Sequence, residues 1–201
     1  MRVFQGYVES YGLPRSLYSD RHGIYVTTRD VTVDEVLANT APPTQFARAM
    51  QTLGVQLILP NSPQAKGRVE RRHQVFQDRL VKELRLKKIT TMEAENAFWD
   101  KAFLADLNER FHETARSPAD VHRTVPRHPP LVYVLCVQEE RVVQNDWTVS
   151  WCNRILQVSE RHQRRALAKK NIMVSQLLGG SLRLTDRGQE LSWQELPARH
   201  A

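Results

Sequence analysis

With 201 residues, 41% of them hydrophobic, the chain can bury the core of one large domain or two small ones, which argues against wholesale disorder. Its 29 Lys and Arg residues exceed its 22 Asp and Glu residues, and the net charge of +7 favours an anionic partner, nucleic acid before an acidic membrane surface, over a merely basic soluble protein. Two cysteines, the lack of a long apolar run and the lack of a signal peptide exclude a disulfide framework and a membrane span, and predict a cytoplasmic protein.

Helical and strand-like patterns alternate along the first part of the chain. Apolar residues at helical spacing predict one helix that Gly12 ends, and a second that Thr44 caps and Gly54 ends. A later run of branched apolar residues is typical of a strand buried on both faces. The predicted elements are a helix over 2–11, a short strand over 17–20, a polar loop over 27–43, a helix over 44–53, a strand over 55–59 and a turn over 60–63.

Two long helices are predicted next. The first runs over 67–86 and carries an apolar stripe at helical spacing. The second runs over 91–111, and Thr90 and Glu93 have the spacing of a capping box at its start. The chain is therefore mixed in secondary structure up to this point, which predicts an α/β fold.

A linker and a β-rich tail follow. Four prolines mark residues 117–130 as a linker. Beyond it the apolar period changes to two, and glycine-containing turns separate short segments. We expect a small all-β unit of about five strands, an SH3-like barrel. Trp147 and Trp151 share one strand face and fit the core of this unit better than a base-stacking platform.

Two carboxylates stand out in this basic chain. Asp20 ends a predicted strand and precedes Arg-His-Gly, and Glu70 lies early in the helix that follows an Asn-Ser-Pro turn. Carboxylate oxygens hold hard divalent cations, and such cations carry the charge of a phosphoryl group during its transfer. The plain alternatives are an Asp that forms a turn and a Glu that is favoured by the positive end of a helix.

Basic residues surround Glu70. Between residues 66 and 88, nine Lys or Arg residues face three acids, more than i, i+4 pairs such as Asp78 with Lys82 can balance. We therefore expect this helix to contact DNA phosphates, with a solvated charged face as the alternative. The segment 161–170, with six basic side chains, could contact phosphates or form an exposed loop. The residues assigned to DNA contact are Lys66, Arg68, Arg71, Arg72 and Arg79.

These motifs resemble a known family. Residues 18–23, Thr44-Gln45-Phe46 and residues 61–71 are similar to the later part of the retroviral-integrase-like core of DDE transposases from bacterial insertion sequences, of the ISNCY type. The resemblance implies a partial RNase H-like α/β core, followed here by a small barrel like those that some members carry. It also implies that Asp20 and Glu70 match the second and third of three catalytic acids, which together bind two Mg²⁺ or Mn²⁺ ions.

Three features depart from the family pattern. The family places its first acid on a strand upstream of the opening helix, so the resemblance implies an N-terminally truncated fragment here. Between Asp20 and Glu70 lie 49 residues, more than in the retroviral pattern, because of the polar loop over 27–43. Gln77 stands where many relatives have a basic residue that holds DNA, so a donor to phosphate is kept and the charge is lost.

The expected function is transposition, that is, DNA integration and recombination by metal-dependent phosphoryl transfer. The resemblance implies DNA as partner, both transposon ends and target, and assembly with itself or with a full-length transposase. The predicted domains are a partial core over 1–116, a linker over 117–131 and a barrel over 132–196. With one acid missing, we expect the isolated chain to bind DNA non-specifically and to cut it poorly or not at all. The alternatives are a non-catalytic DNA-binding or regulatory remnant of a transposase, and an RNase H-like nuclease.

Overall fold

The computed structural model describes residues 1–27, 42–60, 63–114 and 117–197. It is mixed helix and sheet, in agreement with the α/β class. The chain divides into two compact units, Met1–Ile58 with His122–Ala201 as the first and Leu59–Val121 as the second. The domain boundaries expected from the sequence stay a prediction, and most of the predicted loop over 27–43 and part of the turn over 60–63 lie outside the described residues. Within the described ranges, no helix is long and apolar enough to cross a membrane.

The N-terminal part of the first unit contains a helix followed by a β-α-β arrangement. Two parallel strands pair Leu17 with Leu57, and one helix lies between them in the chain. This order confirms the predicted helices and strands, although both strands are shorter than predicted. The elements are α1 (Arg2–Tyr11), β1 (Ser16–Tyr18), α2 (Gln45–Thr52) and β2 (Gln56–Ile58).

Strand β2 is less buried than its apolar sequence indicates. Gln56 is exposed, and Leu57 and Ile58 are only partly buried. Among the described residues this sheet has two strands, so much of β2 stays accessible to solvent. The expectation of a strand buried on both faces is wrong for this part of the chain.

One hydrophobic core joins α1 and α2 to the start of the β-rich half, by which we mean residues 131–197. Phe4 and Phe46 meet edge to face, with ring centroids 5.8 Å apart. Met50 and Leu135 are fully buried in the same cluster. Burial of a large apolar side chain stabilises a fold by about 1.5–3 kcal/mol. The N-terminal helices and the β-rich half therefore share much of their stability.

The β-rich half contains seven strands in two antiparallel sheets. One sheet has the order β3 (Val137–Val142), β6 (Asn171–Gln176), β7 (Leu182–Asp186) and β8 (Gln189–Leu191). The other has the order β4 (Thr148–Trp151), β5 (Arg154–Val158) and β9 (Trp193–Leu196). About five strands were predicted, and β3 was missed because its Gln-Glu-Glu-Arg segment lacks an apolar alternation. The described strands do not close into a barrel. A short helix, α6 (Leu131–Val134), precedes the first of these strands.

The two sheets enclose a second hydrophobic core. Leu156 and Leu184 have no exposed surface, and Trp151 is 2% exposed among them. Trp147 is partly buried against the same cluster. The predicted core placement is confirmed for Trp151, whereas Trp147 precedes β4 with a φ of +64°, so the shared strand face predicted for the two tryptophans is wrong.

Arg123, inside the predicted linker, is bonded to the N-terminal part of the first unit. Its backbone N–H and C=O pair with those of Leu13, at 2.8 and 2.9 Å. Its guanidinium donates to the carbonyl oxygens of Leu53 at 3.0 Å and Gly54 at 2.9 Å. Gly12 has a φ of +88°, and a Cβ there would lie 2.9 Å from the Arg123 carbonyl oxygen, so the close approach requires glycine.

The second unit is helical. Its elements are α3 (Pro63–Leu86), α4 (Met92–Phe98), a π-helical turn (Trp99–Phe103) and α5 (Leu104–Phe111). Helix α3 begins earlier than predicted, and a proline in the first turn suits a helix start. Thr91, whose side chain accepts the Ala94 N–H at 3.3 Å, caps α4. The predicted capping box between Thr90 and Glu93 is therefore wrong.

An aromatic cluster holds α3 to the π-helical turn. The Phe76 and Trp99 ring centroids are 5.3 Å apart, and those of Trp99 and Phe103 are 5.4 Å apart. A π turn inserts an extra residue into a helix and so changes which side chains face a neighbour. Here it allows Trp99 and the buried Phe103 to join one cluster, and the single long helix predicted over 91–111 is interrupted at this point.

Candidate catalytic site and nucleic-acid interface

Asp20 lies two residues beyond β1, at the carboxyl edge of the parallel strand pair. The N–H of Ser19 donates to the Ile58 carbonyl at 3.2 Å, so the pairing continues up to the residue before it. The Asp20 side chain is exposed, and its Oδ1 accepts the His22 N–H at 3.2 Å. This bond forms a turn, yet it uses one of about four lone-pair directions of a carboxylate. Turn formation and cation binding by Asp20 are therefore compatible.

Glu70 is exposed on α3 and shares a helix face with Gln77. Since α3 begins at Pro63, Glu70 lies beyond the first turn, where stabilisation by the helix dipole has faded. Seven residues along an α-helix return a side chain to within about 20° and place it about 10.5 Å further along the axis. Glu70 and Gln77 can thus meet the same extended ligand.

The described cations of α3 do not all share that face. Arg71 is exposed, about 100° around the helix from Glu70, and its Nε donates to the Gly67 carbonyl at 3.0 Å. Arg79 lies about 180° from Glu70, and its guanidinium is 4.7 Å from the centre of the Phe111 ring. Arg79 therefore stabilises the packing of α3 on α5. The side chains of Lys66, Arg68 and Arg72 lie outside the described residues, and DNA contact stays a prediction for all the assigned residues.

Asp20 belongs to the first unit and Glu70 to the second. Among the described side chains, no group of three or more His, Cys, Asp or Glu residues could hold a metal ion. The donor type of both residues nevertheless fits Mg²⁺ or Mn²⁺, since these cations prefer carboxylate oxygens and keep several waters.

Four described cations of the β-rich half pair with an acid, three of them with an acid on a neighbouring element. Arg154 binds Glu195 with two hydrogen bonds of 2.7 and 2.6 Å, and this bond lowers the pKa of Glu195. Exposed pairs of this kind contribute little to stability. They do reduce the charge available to a phosphate backbone. The other pairs are Arg141 with Glu139, Arg165 with Asp186 and Arg183 with Glu190.

The segment 161–170 is partly a 3₁₀ helix (Glu160–Arg165). The Nε2 atom of His162 accepts the backbone N–H of Ser192 at 3.0 Å, which requires a neutral ring nitrogen there. Burial, together with the charges of Arg161 and Arg165, lowers the pKa of His162. The ring is therefore a structural acceptor rather than a cation that could meet a phosphate.

Acidification should destabilise the chain partly through His162. Because its pKa is lower in the folded state than the ordinary value of about 6.5, the unfolded chain binds this proton more readily. The His162 contribution is thus complete above about pH 6.5 and is lost as the pH falls towards the folded-state pKa. Melting temperatures of the native chain and of His162→Gln, measured from pH 7 to pH 5, test this. The variant should lose less stability on acidification, and an equal loss in both proteins would contradict the assignment.

Sequence patterns missed the polar contacts of α2. The Nη2 atom of Arg48 donates to the carbonyl oxygens of Val134 at 3.0 Å and Cys136 at 2.6 Å, and burial lowers the pKa of its guanidinium. The Gln45 amide also bonds the backbone of Gln138. No local sequence signal marks these side chains, because their partners are backbone groups 86 to 93 residues further along the chain.

Two known proteins are similar to most of the chain. It is 33% identical over 190 residues to a candidate transposase, y4bF, of Sinorhizobium fredii, in an alignment that covers 94% of this chain and 40% of the relative. It is 30% identical over 152 residues to the transposase of insertion sequence IS1202 of Streptococcus pneumoniae, covering 76% of this chain and 31% of the relative. No protein-family model matches. The chain thus spans less than half the length of these curated relatives.

Proposed function

We propose that the chain is part of a DDE-type transposase of an insertion sequence and that Asp20 and Glu70 are two of its catalytic carboxylates. The observation that carries the proposal is the position of Asp20 at the carboxyl edge of a parallel strand pair, within the 94% of the chain that aligns with the transposase-like relative of Sinorhizobium fredii. In open α/β sheets, ligands bind outside the carboxyl ends of parallel strands. DNA is the proposed partner, and the bacterial cytoplasm the proposed compartment.

Chain connectivity supports the pairing of Asp20 with Glu70. In a parallel pair, β1 and β2 both end at the same edge of the sheet. Asp20 follows β1 there, and the chain leaves β2 at that edge on its way to α3, which carries Glu70. An RNase H-like core would contain a β-α-β unit of this kind, and we propose that architecture for this part of the chain and an SH3-like one for the β-rich half.

The proposed residues would divide two tasks, which are metal binding and contact with DNA. Asp20 and Glu70 would hold Mg²⁺ or Mn²⁺, which when bound supplies Lewis-acid chemistry for phosphoryl transfer. Gln77, on the face of Glu70, can donate to a phosphate oxygen through its amide. Arg71 and its basic neighbours in sequence would hold the DNA backbone and fix its register.

The test is a titration of the full chain with Mn²⁺, in which the fraction of free Mn²⁺ is measured at each point. Asp20→Asn and Glu70→Gln should each lower the Mn²⁺ affinity by at least about 10-fold, since a neutral amide replaces a charged ligand. If both residues hold the same ion, the double variant loses less affinity than the sum of the single losses in free energy.

Matched controls are Glu9→Gln in the first unit and Glu93→Gln in the second, both exposed acids. Neither control should change Mn²⁺ affinity. Equal losses in controls and test variants, or strictly additive losses in the double variant, would contradict a shared site. Mn²⁺ affinity that is unchanged in both variants, in a chain that still binds DNA, would instead favour a non-catalytic DNA-binding protein.

A further inference from the structure

The turn that follows β1 has weak internal support. Besides the bond from His22 to Asp20, its hydrogen bonds run from the Tyr25 and Val26 N–H groups to the His22 carbonyl, at 2.8 and 3.2 Å, and from the Ile24 N–H to the His22 Nδ1 atom at 3.3 Å. The side chains over residues 20–24 are exposed. Solvent-exposed backbone hydrogen bonds with little buried apolar surface around them open at low free energy. The bond from Ser19 to Ile58 holds Asp20 from the strand side, so on the side of the turn its position needs support from outside the turn.

Helix α2 supplies that support through its first residues. The Thr44 hydroxyl donates to the Ile24 carbonyl at 2.6 Å and accepts the Ala47 N–H at 3.1 Å. It thereby caps α2 and holds the turn at the same time. Phe46, which is 8% exposed, meets Tyr25 edge to face with ring centroids 5.2 Å apart. One polar and one aromatic contact thus attach the turn to α2.

The same end of α2 is fastened to the β-rich half. The Gln45 amide donates to the Gln138 carbonyl at 2.7 Å and accepts the Gln138 N–H at 2.9 Å, as a neighbouring strand would. The Nε of Arg48 also donates to the Gln45 side-chain oxygen at 3.3 Å, which orients the amide. The N-terminus of α2 is therefore held by β3 on one side and holds the turn on the other.

We infer that Thr44, Gln45 and Phe46 are positioning residues for Asp20, which they tie through α2 to strand β3. The inference rests on the proposed function for the role of Asp20, but the coupling itself is a property of the fold. The β-rich half thereby has a task besides any contact with DNA, because it fixes the position of Asp20. Each residue of the Thr44-Gln45-Phe46 motif also has a separate partner.

Amide hydrogen exchange of the full chain tests the first link. Thr44→Asp keeps an oxygen that caps α2 but has no hydroxyl to donate to Ile24, whereas Thr44→Ser keeps both bonds. Exchange of the Tyr25 and Val26 amides should be roughly 2- to 12-fold faster in Thr44→Asp than in the native chain, while the amides of α2 stay protected. In Thr44→Ser the two amides should exchange at the native rate. Unchanged exchange in Thr44→Asp, or equal acceleration in both variants, would overturn this link.

The second link is tested at Gln45. Gln45→Leu removes both bonds to Gln138, and the matched control Gln51→Leu changes an exposed glutamine of the same helix. Gln45→Leu should speed exchange at Gln138 and also at Tyr25, while the control changes neither. Faster exchange at Gln138 alone would show that the β-rich half does not position the turn. Because these readouts need no metal, their failure is separate from a failure of the Mn²⁺ titration.

Discussion

Replacing Arg68, Arg71 and Arg72 together with Gln should weaken binding of duplex DNA by roughly 100-fold or more near 0.1 M salt. Each phosphate contact that is lost removes about 0.9 from the slope of log affinity against log salt concentration, so the slope should fall in magnitude by about 2.7. Fluorescence anisotropy with a labelled duplex of arbitrary sequence, at four or five salt concentrations, measures both quantities. The loss of affinity should not depend on the DNA sequence, because contacts with phosphates carry no sequence information.

The control variant also loses three positive charges, but from the β-rich half. Its substitutions are Arg141→Gln, Arg154→Gln and Arg183→Gln. These cations already face Glu139, Glu195 and Glu190. The control should change the slope by less than about 1. If it weakens binding as much as the α3 variant does, net charge rather than a specific surface governs the affinity, and the assignment of α3 to DNA is wrong.

The contrast between these two sets of cations also shows where sequence reasoning works. The excess of nine cations over three acids between residues 66 and 88 is visible in the sequence, because i, i+4 neighbours are local. The pairing of Arg154 with Glu195 is not visible, because it depends on the antiparallel pairing of β5 with β9. Sequence counts alone therefore do not reveal which cations of a β-rich segment are already paired with an acid.

The same distinction applies to the fold. The periodicity of α1 and the cap at Thr44 are local signals, and both are found where they were predicted. The π-helical turn and the partial exposure of β2 depend on what packs against each element, so composition could not reveal them. The candidate site follows this rule as well: Asp20 and Glu70 stand out in the sequence, whereas Gln45 acquires its role only through Gln138, 93 residues away.

Arg48→Met should lower the free energy of unfolding by about 2–4 kcal/mol and the melting temperature by roughly 4–16 °C. Methionine keeps an unbranched apolar stem but leaves the carbonyl oxygens of Val134 and Cys136 without a donor, next to side chains that are 2% and 0% exposed. A buried acceptor that loses a charged donor costs more than an average hydrogen bond. Thermal and urea unfolding of the full chain measure the change.

Arg15→Met is the matched control, since Arg15 is exposed and lies in the same unit. It should change the free energy of unfolding by less than about 0.5 kcal/mol. If the two variants are equally stable, the Arg48 bonds add nothing, and the first unit is held together by its hydrophobic core alone. If only Arg48→Met is destabilised, and exchange at Tyr25 also rises, the attachment of α2 to the β-rich half supports both the stability of the fold and the position of Asp20.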